Sequence, residues 1–434
     1  MWDSFIEAVT KVNDWVNGVV WGLPMIIMIL GTGILLTVRT RVLQVRKFGE
    51  SMSSTIVPAV KDMKKSKKGR DKKAVSQFEA FSAAISGTVG TGNIIGVTSA
   101  ILTGGPGAVL WMWISAFFGM VTNYSENVLG LYYRKKEKDG SFSGGAFYYI
   151  AYGIKQRWLG MLAAIFCLLA AVGMSGVQTN KITGSYTSVL NNDSAAVKLI
   201  IGGIVAFLAA VVIIGGIKRI GRIASMLVPF MSLLFIAMAF VIIGKNYTAI
   251  PDTFRLIFTS AFSSKAVAGG VGGFAFSQII KKGLARGVFS NEAGLGSSVI
   301  AHSASETREP VKQGLWGIFE VFFDTFVICT LTALVILTTN IGSGAYQNGT
   351  FFGTTDAAGN FAGASDSATA LSAFSSNLGT FGTVTFLIIL PLFAFTTVLA
   401  WSYYGEKAVD FCFHHLPESK RKIPVLIFKI IFIP

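Results

Sequence analysis

The feature that most constrains the fold of this sequence is its series of uninterrupted apolar runs, each about 20 residues long. A helix rises 1.5 Å per residue, so about 20 apolar residues cross the hydrocarbon core of a bilayer. Only 14% of the 434 residues are charged, against about 25% in soluble domains. In lipid, only helices and closed barrels satisfy the backbone, and barrels show short alternating strands instead of continuous runs. The sequence therefore predicts an all-α membrane protein.

The apolar runs give nine candidate spans and the start of a tenth. They cover 16–38, 78–102, 107–133, 158–177, 199–217, 223–244, a broken segment at 274–303, 314–338 and 379–404, and the tenth begins at Ile423. The twelve residues from Ile423 to Pro434 cannot cross about 30 Å of hydrocarbon. We therefore expect a truncated C-terminus.

The basic residues, which give a net charge of +15, are concentrated between these spans. Residues 39–73 contain twelve Lys and Arg, whereas residues 341–376 contain none. Cytoplasmic loops of membrane proteins carry an excess of Lys and Arg. We expect the 39–73 loop in the cytoplasm, beside the lipid bilayer, and a multi-pass protein of the plasma membrane. A nucleic-acid partner is not expected, because topology explains the charge.

Clusters of Gly with Asn or Glu interrupt two of the apolar segments, at 81–96 and 287–298. Gly and Asn weaken helices and allow unusual backbone torsion angles. A helix that unwinds within the membrane exposes N–H groups suited to a carboxylate and carbonyl groups suited to a cation. Four spans separate the two interruptions, which fits a five-helix unit repeated with inverted topology. The alternative is that the glycines only allow close helix packing.

Four strings resemble the alanine or glycine:cation symporter family, which is the sodium:alanine symporter type. They are T-V-G-T-G-N-I-I-G-V at 88–97, G-G-P-G-A-V-L-W-M-W at 104–113, S-N-E-A-G-L-G-S at 290–297 and W-S-Y-Y-G-E at 401–406. The resemblance implies a LeuT-like five-plus-five inverted-repeat bundle with one extra N-terminal helix. It also implies uptake of alanine, glycine or a similar small amino acid together with Na⁺.

The predicted domain organisation follows this resemblance. Residues 1–77 form the extra N-terminal helix and the basic loop, 78–245 the first repeat, and 246–434 an incomplete second repeat. We expect a monomer.

A zwitterionic amino acid needs donors for its carboxylate and acceptors for its ammonium group. The backbone around Thr91, Gly92 and Asn93 is a candidate for the donors, and Gly294 with the neighbouring carbonyl groups for the acceptors. A glycine-rich backbone lets a ligand approach this closely.

Three side chains are further candidates for the substrate pocket. Phe276 and Trp401 are candidates for its apolar wall, although ordinary packing is the favoured explanation of each. Gln178, near the end of the 158–177 span, would reach the ligand with a polar group.

Similarity to the LeuT-type pattern implies one cation site. Its ligands would be the carbonyl groups of Ser86 and Val89 and the adjacent hydroxyls of Thr396 and Thr397. A Thr pair in a membrane helix can instead hydrogen-bond its own helical turn. A second cation site would use Thr88 and Asn93, so the number of Na⁺ ions stays open.

Carboxylates within the spans should face the protein interior, because an unpaired carboxylate in lipid is costly. We expect Glu126 to bind the freed N–H groups of a broken helix and Glu292 to support the second break. Glu320 and Asp324 lie four residues apart on one helix face. They would pair with a basic residue such as Arg286 or relay protons.

The function predicted from these residues is Na⁺-coupled symport of small neutral amino acids by alternating access. A proton-coupled transporter that uses Glu320 and Asp324 is an alternative. A channel would need a continuous pore lined by rings of charge or carbonyl groups, and two isolated breaks do not supply one. An enzyme would need a nucleophile with a base, or a metal cluster, and the His and Cys residues form neither.

Overall fold

The structure, a computed structural model, describes residues 2–55, 75–138, 140–190, 192, 194–262, 270–343 and 366–432. Most of the basic loop expected in the cytoplasm, 56–74, lies outside this description. Six described helices are long and apolar enough to cross a membrane, or seven if one bent pair counts as a single span. The strands of the described chain, Lys135–Lys136 (β1) and Phe142–Ser143 (β2), form one antiparallel pair.

The helices are numbered in chain order through the described residues. Their bounds are α1 Trp2–Val20, α2 Leu23–Arg39, α3 Leu43–Arg46, α4 Gln77–Thr88, α5 Val97–Gly104, α6 Ala108–Tyr132, α7 Ala146–Gly153, α8 Arg157–Leu190, α9 Ala195–Ile213, α10 Gly216–Lys245, α11 Ile250–Ala261, α12 Gly270–Asn291, α13 Ser298–His302, α14 Pro310–Val321, α15 Thr330–Gly342, α16 Asp366–Cys412 and α17 Glu418–Phe432. The described regular structure also contains two π-helical segments, Gly92–Gly96 and Phe322–Cys329, one 3₁₀ turn, Tyr247–Ala249, and the helical residues 48–55.

The N-terminal span differs from its prediction as one run over 16–38. The structure ends α1 at Val20 and begins α2 at Leu23, with Pro24 in the first turn of α2. Proline lacks an N–H group and favours the first turn of a helix, so the boundary falls at Gly22. Hydrophobicity alone does not show this division.

The first predicted interruption is present. Helix α4 begins with a capping box, in which Ser76 and Glu79 each bind the backbone N–H of the other. It ends at Thr88, and after Val89 and Gly90 the chain resumes in the π-helical turn Gly92–Gly96. The segments before and after the break are bent by 45°.

The second predicted interruption follows α12. Helix α12 ends at Asn291, and Glu292, Gly294 and Gly296 have φ values of 56°, 92° and 70°. Such positive values end an α-helix and suit glycine. The short helix α13 then continues the chain. Both unwound segments therefore lie where the glycine clusters predict them.

Packing brings α12 into contact with the π-helical turn that follows the first break. Helix α6 lies between α12 and α14, and α16 packs along α8 and against α4. The helix α16 bends at Gly379, where φ is 58°, close to the predicted start of the last long span. Helix α8 is longer than predicted, and the helices α7 and α11 were not predicted, because they are short amphipathic elements between spans.

Candidate functional site

The carboxylate of Asp324 joins the two broken helices. Its Oδ1 accepts a hydrogen bond from Nδ2 of Asn93 at 2.5 Å, and its Oδ2 accepts from Oγ of Ser290 at 2.9 Å. The hydroxyl of Thr325 also donates to Oδ2, at 2.8 Å. All four side chains are buried. Asp324 lies in the π-helical segment between α14 and α15, and wide turns of this kind recur at functional sites.

The expected pairing of Glu320 or Asp324 with Arg286 is wrong for the described residues. Oε2 of Glu320 instead contacts Nε2 of His302 at 2.9 Å. The guanidinium of Arg286 makes other contacts among the described residues: its Nη2 donates to the carbonyl of Gly92 at 3.4 Å, and it lies over the ring of Phe289.

Gln178 reaches the first break from α8. Its Oε1 accepts hydrogen bonds from the backbone N–H of Thr91 at 3.2 Å and from the Thr91 hydroxyl at 2.8 Å. The N–H of Gly90 donates to Oδ1 of Asn93 at 2.9 Å. The side chains of Asn93 and Gln178 thus take over backbone donors that the interrupted helix leaves free. Among the predicted substrate residues, the structure brings Thr91, Gly92, Asn93 and Gln178 together at this break.

Two of the predicted cation ligands, Thr396 and Thr397, reach the same break from α16. Thr397 packs against Gly90 so closely that a Cβ at Gly90 would overlap its hydroxyl. The hydroxyls of Thr396 and Thr397 donate to the carbonyls of Leu392 and Phe393 at 3.0 and 2.9 Å. A hydroxyl that donates to its own helix keeps lone pairs that can accept a cation.

The remaining predicted ligands lie just before the break. Val89 is the first non-helical residue, and both Ser86 and Thr88 are buried in the last turn of α4. Their hydroxyls bind the carbonyls of Ala83 and Ile85.

Two carboxylates bridge the second break. Glu292 accepts from the Ser297 hydroxyl at 2.5 Å and from Nε1 of Trp401 at 3.1 Å. Oε2 of Glu126, on α6, accepts from the N–H of Gly294 at 3.2 Å. The Glu126 contact replaces a backbone hydrogen bond that a continuous helix would make internally, and the Glu292 contacts tie the break to Ser297 and to α16.

Gly294 and Trp401 do not join the residues around Gln178 in the structure. Gly294 and Trp401 line a separate cavity of about 340 Å³ beside α7 and α8, and the Gly294 N–H is already engaged by Glu126. The predicted role of Trp401 as a purely apolar wall misses its hydrogen bond to Glu292. Phe276 lies on α12, but its side chain is outside the part of the chain that the structure describes.

Comparison with known proteins identifies the family of this chain. The family model of the sodium:alanine symporter family matches residues 6–434. The chain belongs to this family. It is a family of transporters, so the protein is a multi-pass membrane transporter of the amino-acid:cation symporter type.

Two relatives and one solved structure show how close this family member is to known proteins. It is 38% identical to the sodium/alanine symporter AgcS of Methanococcus maripaludis, over 99% of this chain and 87% of the relative. It is 39% identical to an uncharacterized transporter of Haemophilus influenzae, over 94% of this chain and 83% of the relative. Its fold is similar to that of MhsT, crystallised with L-phenylalanine, with a TM-score of 0.54, 15% identity and coverage of 84% and 79% of the two chains. The predicted LeuT-like fold is confirmed.

The sequence did not predict one buried polar cluster of this symporter, which consists of His302, Gln313, Glu320 and Asn123. Nε2 of Gln313 contacts Nδ1 of His302 at 2.7 Å, and Nε2 of His302 contacts Glu320. Since the amide of Gln313 donates to Nδ1, the proton of a neutral His302 ring lies on Nε2 and points at Glu320. Asn123 of α6 also donates to Glu320, at 3.5 Å. The cluster attaches α13 to α14 and α6.

Arg134, just after the end of α6, fixes the segment that follows α13. Its guanidinium donates to the carbonyls of Ser303, Ser305 and Thr307 at 3.1, 2.5 and 2.5 Å. Burial lowers the pKa of Arg134 to about 10, so it remains a cation at neutral pH. The second broken span is thus fixed at two places. Glu126 and Glu292 bind at the break, and Arg134 binds the segment after α13.

Proposed function

We propose that the protein is a Na⁺-coupled symporter of small neutral amino acids, such as alanine or glycine, that works by alternating access. The observation that carries this proposal is the meeting of the two broken helices at Asp324, through Asn93 on one side and Ser290 on the other. Unwound backbone in a membrane is tolerated where it lines a cavity or a binding site. Two such segments joined by one buried carboxylate suit a ligand that carries both signs of charge.

The amino acid would bind at the first break. A π-helical segment begins at Gly92 there, and N–H groups at the start of a helical segment suit a carboxylate. Gln178 holds Thr91 in place, and its amide Nε2 faces Gly90. Buried side chains close to the backbone leave room only for a small substrate.

The cation would bind beside the substrate. Carbonyl groups at Ser86 and Val89 and hydroxyls at Thr396 and Thr397 are hard oxygen ligands of the kind that Na⁺ requires. A second ion would use Thr88 and Asn93, with the Asp324 carboxylate supplying the negative charge. Because both ligands share the first broken helix, each would increase the affinity for the other by the same factor.

The membrane potential would contribute to accumulation. One elementary charge moved through 100 mV supplies about 2.3 kcal/mol, which supports roughly a fortyfold substrate gradient before any Na⁺ gradient is added.

Uptake of radiolabelled alanine into proteoliposomes tests the proposal. We expect uptake with an inward Na⁺ gradient and none when choline replaces Na⁺. In a counterflow test, unlabelled alanine loaded inside the vesicles should drive a transient accumulation of labelled alanine, which a channel would not support. A panel of amino acids measured in the same vesicles would set the substrate range.

Proton coupling is the second candidate, and the contact of the buried Glu320 with His302 favours it. Uptake that follows an imposed pH gradient and ignores Na⁺ would replace the Na⁺-coupled mechanism with a proton-coupled one. Glu320→Gln should then abolish the response to the pH gradient.

A further inference from the structure

A second cavity, of about 490 Å³, lies between α1, α5 and α12. With the 39–73 loop in the cytoplasm, this side of the first break faces outside the cell. We call it the outer cavity. Three basic side chains line it, Lys281, Lys282 and Arg286, together with polar groups such as Asn17 and Ser99. No acidic residue lines the cavity in the described part of the chain.

Arg286 connects the outer cavity to the first break. Its Nη2 donates to the carbonyl of Gly92, and a Cβ at Gly96 would overlap its guanidinium. Because residue 96 is a glycine, the guanidinium can lie directly against the backbone of the π-helical turn. The ring of Phe289 lies 5.2 Å from the guanidinium and supports it from the other side.

The hydrogen-bonding capacity of Arg286 is not exhausted by these contacts. Its Nε is fully buried and has no hydrogen-bond partner among the described residues. Its single side-chain hydrogen bond in this part of the chain is the long contact to Gly92. Buried donors are normally satisfied, and a guanidinium presents a planar fork that matches a carboxylate.

We propose that the outer cavity is a staging site that binds the carboxylate of the incoming amino acid at Arg286 before the substrate reaches Thr91 and Gln178. This inference rests on the proposed function, because it concerns the same substrate. Lys281 and Lys282 attract the carboxylate of the amino acid towards the cavity, and Arg286 holds this carboxylate within reach of Gly92 at the break. The site recognises the carboxylate and makes no demand on the side chain of the substrate.

Competition in the wild-type protein gives a test that needs no variant. Propionate carries the carboxylate without the ammonium group, and ethylamine carries the ammonium group without the carboxylate. We expect propionate to raise the KM for alanine competitively and ethylamine at the same concentration to leave it unchanged. Inhibition by ethylamine alone would overturn the proposal.

Variants of Arg286 give the second test. Arg286→Gln should raise the KM for alanine about tenfold and leave Vmax within twofold, because a charge-assisted hydrogen bond is lost before the transport step. Arg286→Lys should lie in between, since it keeps the charge without the fork. The inhibition by propionate should disappear in Arg286→Gln. An unchanged KM, or a loss of Vmax at unchanged KM, would overturn the proposal.

Gly96→Ala provides a variant that keeps Arg286 itself. The added methyl group would displace the guanidinium, whose flexible end can move, so KM should rise as in Arg286→Gln. Gly203→Ala, with open space around the added methyl group, and Arg255→Gln, at an exposed arginine on α11, are the matched controls. Both should behave as wild type.

The outcomes separate the two proposals. A wild-type protein that does not take up alanine with Na⁺ removes the proposed function. A wild-type protein that does take it up, but whose KM is indifferent to propionate, to Arg286→Gln and to Gly96→Ala, removes only the staging site.

Discussion

Asn93 and Asp324, 231 positions apart in the chain, share a hydrogen bond of 2.5 Å between Nδ2 and Oδ1. Oδ1 of the same Asn93 side chain accepts from the N–H of Gly90, so one amide connects the first break to the carboxylate. The other oxygen of Asp324 accepts from Ser290 on the second broken helix. Asn93 and Asp324 therefore link the geometry of the first interrupted helix to that of the second.

Asp324→Asn should abolish Na⁺-driven alanine uptake, with a loss of roughly a hundredfold, because it removes the buried negative charge while keeping the volume of the side chain. Asn93→Ala should have a similar effect. Thr338→Val is the control, since its hydroxyl binds only the carbonyl of Leu334 in its own helix. Initial uptake rates, normalised to the amount of inserted protein, measure the effect. Wild-type Na⁺ dependence in Asp324→Asn would exclude this carboxylate from the cation site.

Gln178→Leu should raise the KM for alanine about tenfold, because Thr91 loses the acceptor of both its N–H and its hydroxyl in a buried position. Asn180→Ala, at an exposed residue two positions later on α8, should leave KM unchanged. The dependence of uptake on alanine concentration, measured at saturating Na⁺, distinguishes the two variants. An equal effect of both substitutions would point to a general disturbance of α8.

Gly90→Ala should reduce uptake more than tenfold, because its methyl group would overlap the hydroxyl of Thr397 and meet Nε2 of Gln178 at 3.4 Å. Gly176→Ala is the matched control, since nothing lies within 4 Å of an added Cβ there. The Na⁺ concentration needed for half-maximal uptake should rise in Gly90→Ala and stay constant in Gly176→Ala. A normal Na⁺ dependence in both variants would contradict the placement of Thr397 at the cation site.

Trp401→Phe should lower the melting temperature of the detergent-solubilised protein by a few degrees, because Glu292 loses a buried donor worth about 1.5–3 kcal/mol. Trp158→Phe changes the same residue type at a position that is 65% exposed, and it should melt as wild type. If both variants melted together, the hydrogen bond to Glu292 would contribute nothing measurable to stability.

Much of the fold could be predicted because its signals are local. Continuous apolar runs mark the spans, and the glycine clusters mark both breaks, since glycine alone tolerates the positive φ values found at Gly294 and Gly296 without strain. A polar residue near the end of an apolar span is also a local signal and singles out Gln178, although it does not predict the contact with Thr91.

The contacts that could not be predicted join residues distant in sequence. Nothing near His302 indicates that it faces Glu320, and Trp401 within an apolar helix has the pattern of a packing residue until Glu292 is placed beside its Nε1. The direction of Arg286 depends on the space above Gly96, which only the packing of α12 on α5 creates. Periodicity describes the face of a helix, whereas these contacts depend on which face meets which neighbour.

One stretch of α16, little more than two helical turns long, touches both interrupted segments. Thr397 packs on Gly90, Trp401 donates to Glu292, and the hydroxyl of Tyr404 donates to the carbonyl of Ala84 at 3.4 Å. A tilt of this stretch would shift all three contacts in the same direction, because they lie on one continuous helix. The inner ends of the two hinged helices would therefore open and close in synchrony, which would prevent a leak between the two faces of the membrane.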